Sequence, residues 1–360
     1  MSFTLQADLA KAQAALERFA QEYLSDQKSR FNYGDWFDAY YFDFCEFVGR
    51  KGKRIRPLLL LLSYRAFNGS RSLDDPALLR CALALELLHS FVLIHDDVID
   101  RSETRRGLPT FHKLTARRLG VAEEGGRPGE NIAMVMGDMI FALSIRTLQE
   151  ADFPPGVKER VLGIFLGCAT DTGAGEIYDI ALGARDIARV TPEEIEQMYH
   201  LKTTRYTFES PCVMGALLAE ASPEKVQALR EWSSSLGLAF QIENDLLEFK
   251  RLRPEDPQNS ADLLEGKKTL LLREAYERLN DVEQSFLQMC LATPGRRESA
   301  VLKIRELILK SGAPEILERR CALLLSRAEE QAGAGVFEPA ESTALRFALE
   351  IVRGQVRQTA

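Results

Sequence analysis

The stretch DPALLRCALALELLHSFVLIHDDVIDRSETRRG, residues 75–107, decides the fold. From Asp75 to His95 it is almost continuously apolar. A helix that is apolar around most of its circumference belongs inside a core, packed by other helices on most sides. The run then breaks into acid at Asp96, Asp97 and Asp100, with Arg105 and Arg106 close behind. Helical residues at i, i+1 and i+4 share one side, so these carboxylates crowd together. Crowded like charges need a counter-charge. Mg²⁺ suits that task, because it takes hard oxygen ligands and commonly joins one or two carboxylates to a substrate's phosphates. A triplet at a solvated helix end is the plain alternative. Its position straight after a core helix favours the mouth of a cavity.

Outward from this stretch the periodicity stays helical. ADLAKAQAALERFAQEYL (7–24) repeats apolar residues at spacings of three and four, and SPEKVQALREWSSSLGLAFQIENDLLEF (222–249) opens on a Ser-Pro-Glu start signal before running helical. Alternating strand patterns are absent. Residues 120–131, 251–261 and 332–339 read as loops from their Gly, Pro and polar content. The expectation is one all-α domain over residues 1–360, built as a helical bundle around a cavity. A chain of 360 residues, 46% hydrophobic, has enough apolar content for a large core, and its net charge of −7 speaks against nucleic acid as a partner. No apolar run reaches 18 residues, so no membrane span is expected. The N-terminal residues lack an apolar signal core. The six cysteines are scattered and form no CxxC pair, which points to reduced, buried thiols and a cytoplasmic location.

A second acidic group lies far downstream. Asn244, Asp245 and Glu248 repeat the i, i+1, i+4 spacing inside an apolar helix, with Gln241 one turn before Asp245. Facing helices in bundles build metal sites this way. Basic runs complete the pattern: Lys53, Arg54 and Arg56 in RKGKRIRP, Lys202 with Thr203 in HLKTTRYTF, and Lys267 and Lys268 in EGKKTLLL. Arginine forks and lysine ammonium groups partner phosphate oxygens. One basic run alone is usually a solvated face. Together with two acidic motifs, the runs point to a site for two polyanionic groups, one held through metal and one by Lys and Arg directly.

These motifs together resemble the trans-isoprenyl diphosphate synthases. DDVIDRSETRRG resembles the family's first DDxxD motif with its Arg-Arg-Gly, and KGKRIRP its GGKRxRP motif. His89, MGDMIFALS, KTTRYTF, FQIENDLLEF and DLLEGKKTLLL follow in the family's order. The resemblance implies an all-α fold with a deep cavity, and Mg²⁺ held by Asp96, Asp100, Asn244, Asp245 and Glu248 against an allylic diphosphate. Asp97, Arg105, Lys202, Thr203, Gln241 and Lys267 belong to the same group of expected site residues. Isopentenyl diphosphate is expected on Lys53, Arg56, His89 and Arg106. A homodimer is the family's common assembly.

The family also uses the residues just before the first motif to set product length. Val92 and Phe91, four and five residues before Asp96, lie roughly 6–7.5 Å deeper along the helix, and their sizes resemble synthases making about twenty carbons, with about fifteen as second choice. Three departures stand out: Asn244 and Glu248 in place of aspartates, no lysine in RPEDPQNSAD, and Lys51 in place of the first glycine of GGKR. They motivate two alternatives, a class I terpene cyclase and a non-catalytic partner subunit.

Overall fold

The computed structural model describes residues 2–121, 127–251, 261–292 and 294–358. It is all-α among these residues, apart from one two-stranded ribbon. The chain gathers into two compact units, Met1–Gly163 with Met214–Glu220, and Ile164–Val213 with Ala221–Ala360.

In the first unit, α1 (Ser2–Phe31), α2 (Asp35–Gly49), α3 (Ile55–Ala66) and α4 (Pro76–Ile99) are followed by strands β1 (Thr104–Arg105) and β2 (Leu108–Pro109), then α5 (Phe111–Arg118) and α6 (Arg127–Gln149). The apolar stretch forms α4 as expected. Asp75 caps it by accepting from Ala77 N at 2.9 Å, and Pro76 sits at the first helical position, where its missing N–H costs nothing. Leu78, Ala82, Leu85, Leu87 and Leu88 are essentially inaccessible. By length and composition α4 and α6 could each cross a membrane, but 72% of the α4 window is buried inside the protein.

In the second unit, α7 (Pro155–Gly183) enters from the first. It is followed by α8 (Pro192–Tyr199), a π-helical segment (His200–Glu209), α9 (Ser210–Leu218), which from Met214 on belongs to the first unit, and α10 (Pro223–Arg251). The chain ends with α11 (Ala261–Glu265), α12 (Leu270–Arg278), α13 (Asp281–Leu291), α14 (Pro294–Ser311), α15 (Ala313–Ala332) and α16 (Pro339–Gln358). Its core joins Ile242 and Leu246 of α10 to Leu271 of α12, Ile304 of α14 and Leu317 of α15. Reciprocal capping boxes start α8 (Thr191 with Glu194) and α13 (Asn280 with Glu283), satisfying backbone donors that a helix start leaves open.

Three sequence expectations need adjustment. Residues 127–131, read as loop, are the first turn and a half of α6. Most of 251–261 lies outside the described residues. The expected absence of strands misses β1–β2: Arg106 (φ 57°) and Gly107 (φ 74°) form a two-residue connection with both residues left-handed, the geometry of a type I′ hairpin turn. All six cysteines are free, five of them buried.

Candidate active site

The C-terminal end of α4 is a poor place for anions, since the helix dipole already carries partial negative charge there. Asp96 and Asp97 lie in its last turn, and Asp100 caps it with its N–H on Asp96 O at 2.8 Å. The three acids do not share a role. Asp97 is fully buried, and its Oδ1 accepts from Arg105 Nε at 2.8 Å and from Nη2 of the same side chain. Its Oδ2 is buried with no hydrogen-bond partner among the described residues. Burial pushes the Asp97 carboxyl up to about 6, and Arg105 opposes that shift. Arg105 also reaches Asp96 Oδ2 at 3.6 Å. Asp97 thus anchors Arg105 beneath the acids, while Asp96 and Asp100 are only partly buried.

The hairpin explains the RRG in the sequence. Its turn places Arg106 next to the loop before α3, where Nη1 donates to Arg50 O at 3.0 Å. A Cβ on Gly52 would come within 2.8 Å of Arg106 Cζ, so a larger residue there would push the guanidinium aside. Arg54 turns the other way. It forms a salt bridge with buried Glu86 and donates to Val48 O (2.9 Å) and Arg50 O (3.0 Å). Its work is to hold the loop; of the two cations expected at an anion, Lys53 lies in the loop and Arg56 in the first turn of α3. His89 feels this crowd directly. Burial depresses its pKa well below the ordinary value, and Arg56, Arg106, Arg105 and Arg54 push the same way. It is neutral at pH 7, a hydrogen-bonding group among cations. Glu86 was not singled out from sequence; a lone glutamate in ALALELLHS is the signal that could have found it.

Phe91 and Val92 separate on α4. At 100° per residue, Val92 stays on the Asp96 side, whereas Phe91 is turned about 140° away. The Phe91 ring packs on Phe141 of α6 at 5.1 Å and on His95 at 4.7 Å.

In the second unit α10 presents Gln241, Asn244, Asp245 and Glu248. Asp245 is almost wholly buried, accepting from Gln241 Nε2 at 2.8 Å and from the Tyr199 hydroxyl. The chain of bonds extends from Thr203 Oγ1 to Gln241 Oε1 at 2.9 Å, and from Leu270 N to the Tyr199 hydroxyl at 3.0 Å. Tyr199 was missed from sequence. Asp245, Glu248 and Lys267 line one crevice with Thr269. Lys267 pairs with Glu265 at 2.7 Å, whereas Lys268 is buried and donates to Gly183 O and Gly266 O. Burial pulls the Lys268 amine down to about 8, so the second lysine of the pair is structural.

Lys202 stands on the π-helical segment between two carboxylates of α7, Glu176 and Asp179, each at 2.7 Å. Widened helical turns of this kind often occur at functional positions. The approach is close, since a Cβ on Gly175 would meet Lys202 N at 2.5 Å. Sequence reading missed both acids, although GEIYD places them one helical turn apart.

Among the described residues no three His, Cys, Asp or Glu side chains gather closely enough to hold a metal alone. Asp97 is engaged by Arg105, whereas Asp96 and Asp100 are the partly exposed acids of this end.

Residues 41–308 match the family model described as polyprenyl synthetase. The geranylgeranyl diphosphate synthase of Methanosarcina mazei is 30% identical over 262 residues, 72% of this chain and 74% of that protein. A short chain isoprenyl diphosphate synthase of Methanothermobacter thermautotrophicus is 31% identical over 267 residues, 73% of this chain and 74% of that one. Among solved structures, geranylgeranyl pyrophosphate synthase from Corynebacterium glutamicum, complexed with isoprenyl diphosphate and magnesium, has a TM-score of 0.83 at 26% identity, covering 95% of this chain and 98% of that one.

Proposed function

The chain belongs to the polyprenyl synthetase family, and from that premise we propose that it is a trans-prenyltransferase joining isopentenyl diphosphate head-to-tail to an allylic diphosphate, with a geranylgeranyl (twenty-carbon) product. One observation carries the reading: within a chain whose residues 41–308 match the polyprenyl synthetase family, Arg105 bridges Asp97 and Asp96 at the acid-rich end of α4 while the next residue, Arg106, reaches the basic segment before α3. Fixed cations next to a second, acid-lined position suit two diphosphates bound in different ways.

Lys53, Arg56, His89 and Arg106 bind isopentenyl diphosphate. Asp96 and Asp100, with Asn244, Asp245 and Glu248 of the second motif, would hold Mg²⁺, which when bound would offset the charge of the allylic diphosphate as it leaves. Lys202, Gln241, Lys267, Thr203 and Arg105 orient that diphosphate. Asp97 positions Arg105. The allylic C–O bond breaks and its electron pair leaves with diphosphate. The isopentenyl double bond supplies the pair for the new C–C bond. A proton then departs to the released diphosphate, since no side-chain base is assigned. Apolar side chains of α4 keep water from the cation. Residues 1–360 act as one catalytic domain in this reading, and the free thiols suit the cytoplasm. Met134 and Val135, exposed on α6, support a homodimer through helix packing.

Incubation with labelled isopentenyl diphosphate, farnesyl diphosphate and Mg²⁺, followed by chromatography of the dephosphorylated products, tests the reading. Labelled twenty-carbon alcohol is expected. Unlabelled cyclic hydrocarbon from farnesyl diphosphate would point to a cyclase, and no turnover without a homologous subunit would point to a partner protein.

A further inference from the structure

A cavity of about 460 Å³ lies within the first unit, lined by α1, α2, α4 and the loop before α3. Its size falls within the range of small-molecule sites, roughly 300–1,000 Å³. The walls are mostly apolar, with Ala20 and Leu24 from α1, Val48 from α2 and Leu83 from α4. Arg54 and Glu86 also line it, but their salt bridge cancels their charges locally. Lys28 is partly engaged by Asp38 at 3.1 Å. Lys51 differs: it lines the cavity, is exposed and makes no ion pair among the described residues. This is the lysine that stands where the related motif has glycine. Its neighbours Arg50 and Arg54 are paired with Glu46 and Glu86, so the preference of this end of the cavity for an anion rests on Lys51, with Glu17 of the lining opposing it.

We propose that this cavity is a second binding site, separate from the reaction, for an anionic amphiphile whose hydrocarbon tail lies between α1, α2 and α4 and whose headgroup meets Lys51. Apolar walls supply affinity through burial of the tail, and the lysine supplies the sign of the head. The shared chemistry is a short hydrocarbon chain ending in a phosphate or carboxylate. Two sources carry it, prenyl phosphates and fatty acids. The site needs no metal and does not depend on the proposed reaction.

The test is equilibrium titration of the full chain with dodecyl phosphate and, separately, dodecanoate, in EDTA and with saturating isopentenyl diphosphate. Saturable binding of one probe molecule per chain is expected, with dodecyltrimethylammonium not binding. Tighter dodecyl phosphate would assign the prenyl phosphate source, and tighter dodecanoate the fatty acid. Lys51→Glu should weaken either anion about tenfold, an effect the size of reversing one headgroup contact. Ala20→Trp, which fills the cavity, should remove binding. Both variants should keep wild-type circular dichroism and turnover. Equal binding of the cationic probe, unchanged affinity in both variants, or no saturable binding by wild type would overturn the proposal.

Discussion

The two acidic motifs share a spacing and differ in what surrounds them. At the end of α4 the middle carboxylate, Asp97, is matched by a full charge, Arg105. On α10 the corresponding buried carboxylate, Asp245, is satisfied by neutral donors, Gln241 and Tyr199. The cations differ in the same sense. Arg56 and Arg106 crowd a neutral histidine, whereas Lys202 is bracketed by Glu176 and Asp179. The first region therefore carries net positive character next to its acids, and the second a prearranged polar network with its lysine already neutralised. The first sets fixed cations beside partly exposed acids, and the second holds its buried carboxylate with neutral donors.

The largest effect expected from this contrast is on turnover. Asp96→Ala or Asp100→Ala should each lower kcat at least about a hundredfold, the scale of removing a charge-stabilising group from a reacting centre, with unchanged circular dichroism. Asp97→Ala should differ in kind. It strands Arg105, so the unfolding free energy should also fall by about 1–3 kcal/mol, read by denaturant titration. Equal stability in all three variants would erase the distinction between holding metal and holding an arginine.

Tyr199→Phe probes the neutral network. It deprives buried Asp245 of one donor and the Leu270 N–H of its acceptor. A loss of about 1–3 kcal/mol of stability is expected, with a smaller loss of kcat than for Asp96→Ala. A full loss of activity at unchanged stability would move Tyr199 into the chemistry.

Most of the frame could be read from sequence, for identifiable reasons. A helix as apolar as α4 has one place to go, and the i, i+1, i+4 acids are defined by helical period alone. What could not be read were partnerships across the fold. Nothing local says that Arg54 belongs to Glu86, thirty-two residues on. The hairpin at residues 104–109 was hidden because strands of two residues have no alternation to detect. For the ruler residues, helical period alone puts Val92 on the Asp96 side, and only the packing of Phe91 on Phe141 and His95 needed the structure.

That placement gives the next effect. Val92→Phe should shorten the main product by one isoprene unit, whereas Phe91→Ala, which empties a space against Phe141, should change product length less. Longer products from Phe91→Ala alone would reverse the assignment. The smallest expected effect is on metal demand. Asn244→Asp restores a negative charge and should lower the Mg²⁺ concentration for half-maximal rate by about two- to fivefold, the range of one partly solvated charge interaction. An unchanged requirement would place Asn244 away from the metal.

The most direct test of the division between direct and metal-mediated diphosphate binding is calorimetric titration of the wild-type chain in EDTA and in Mg²⁺. Isopentenyl diphosphate should bind in both, and Arg56→Ala should weaken it in both. An unreactive thiolo analogue of farnesyl diphosphate should bind tightly only with Mg²⁺. Isopentenyl diphosphate binding that vanishes in EDTA, or analogue binding that is indifferent to metal, would contradict the assignment of the cations to one diphosphate and the acids to the other.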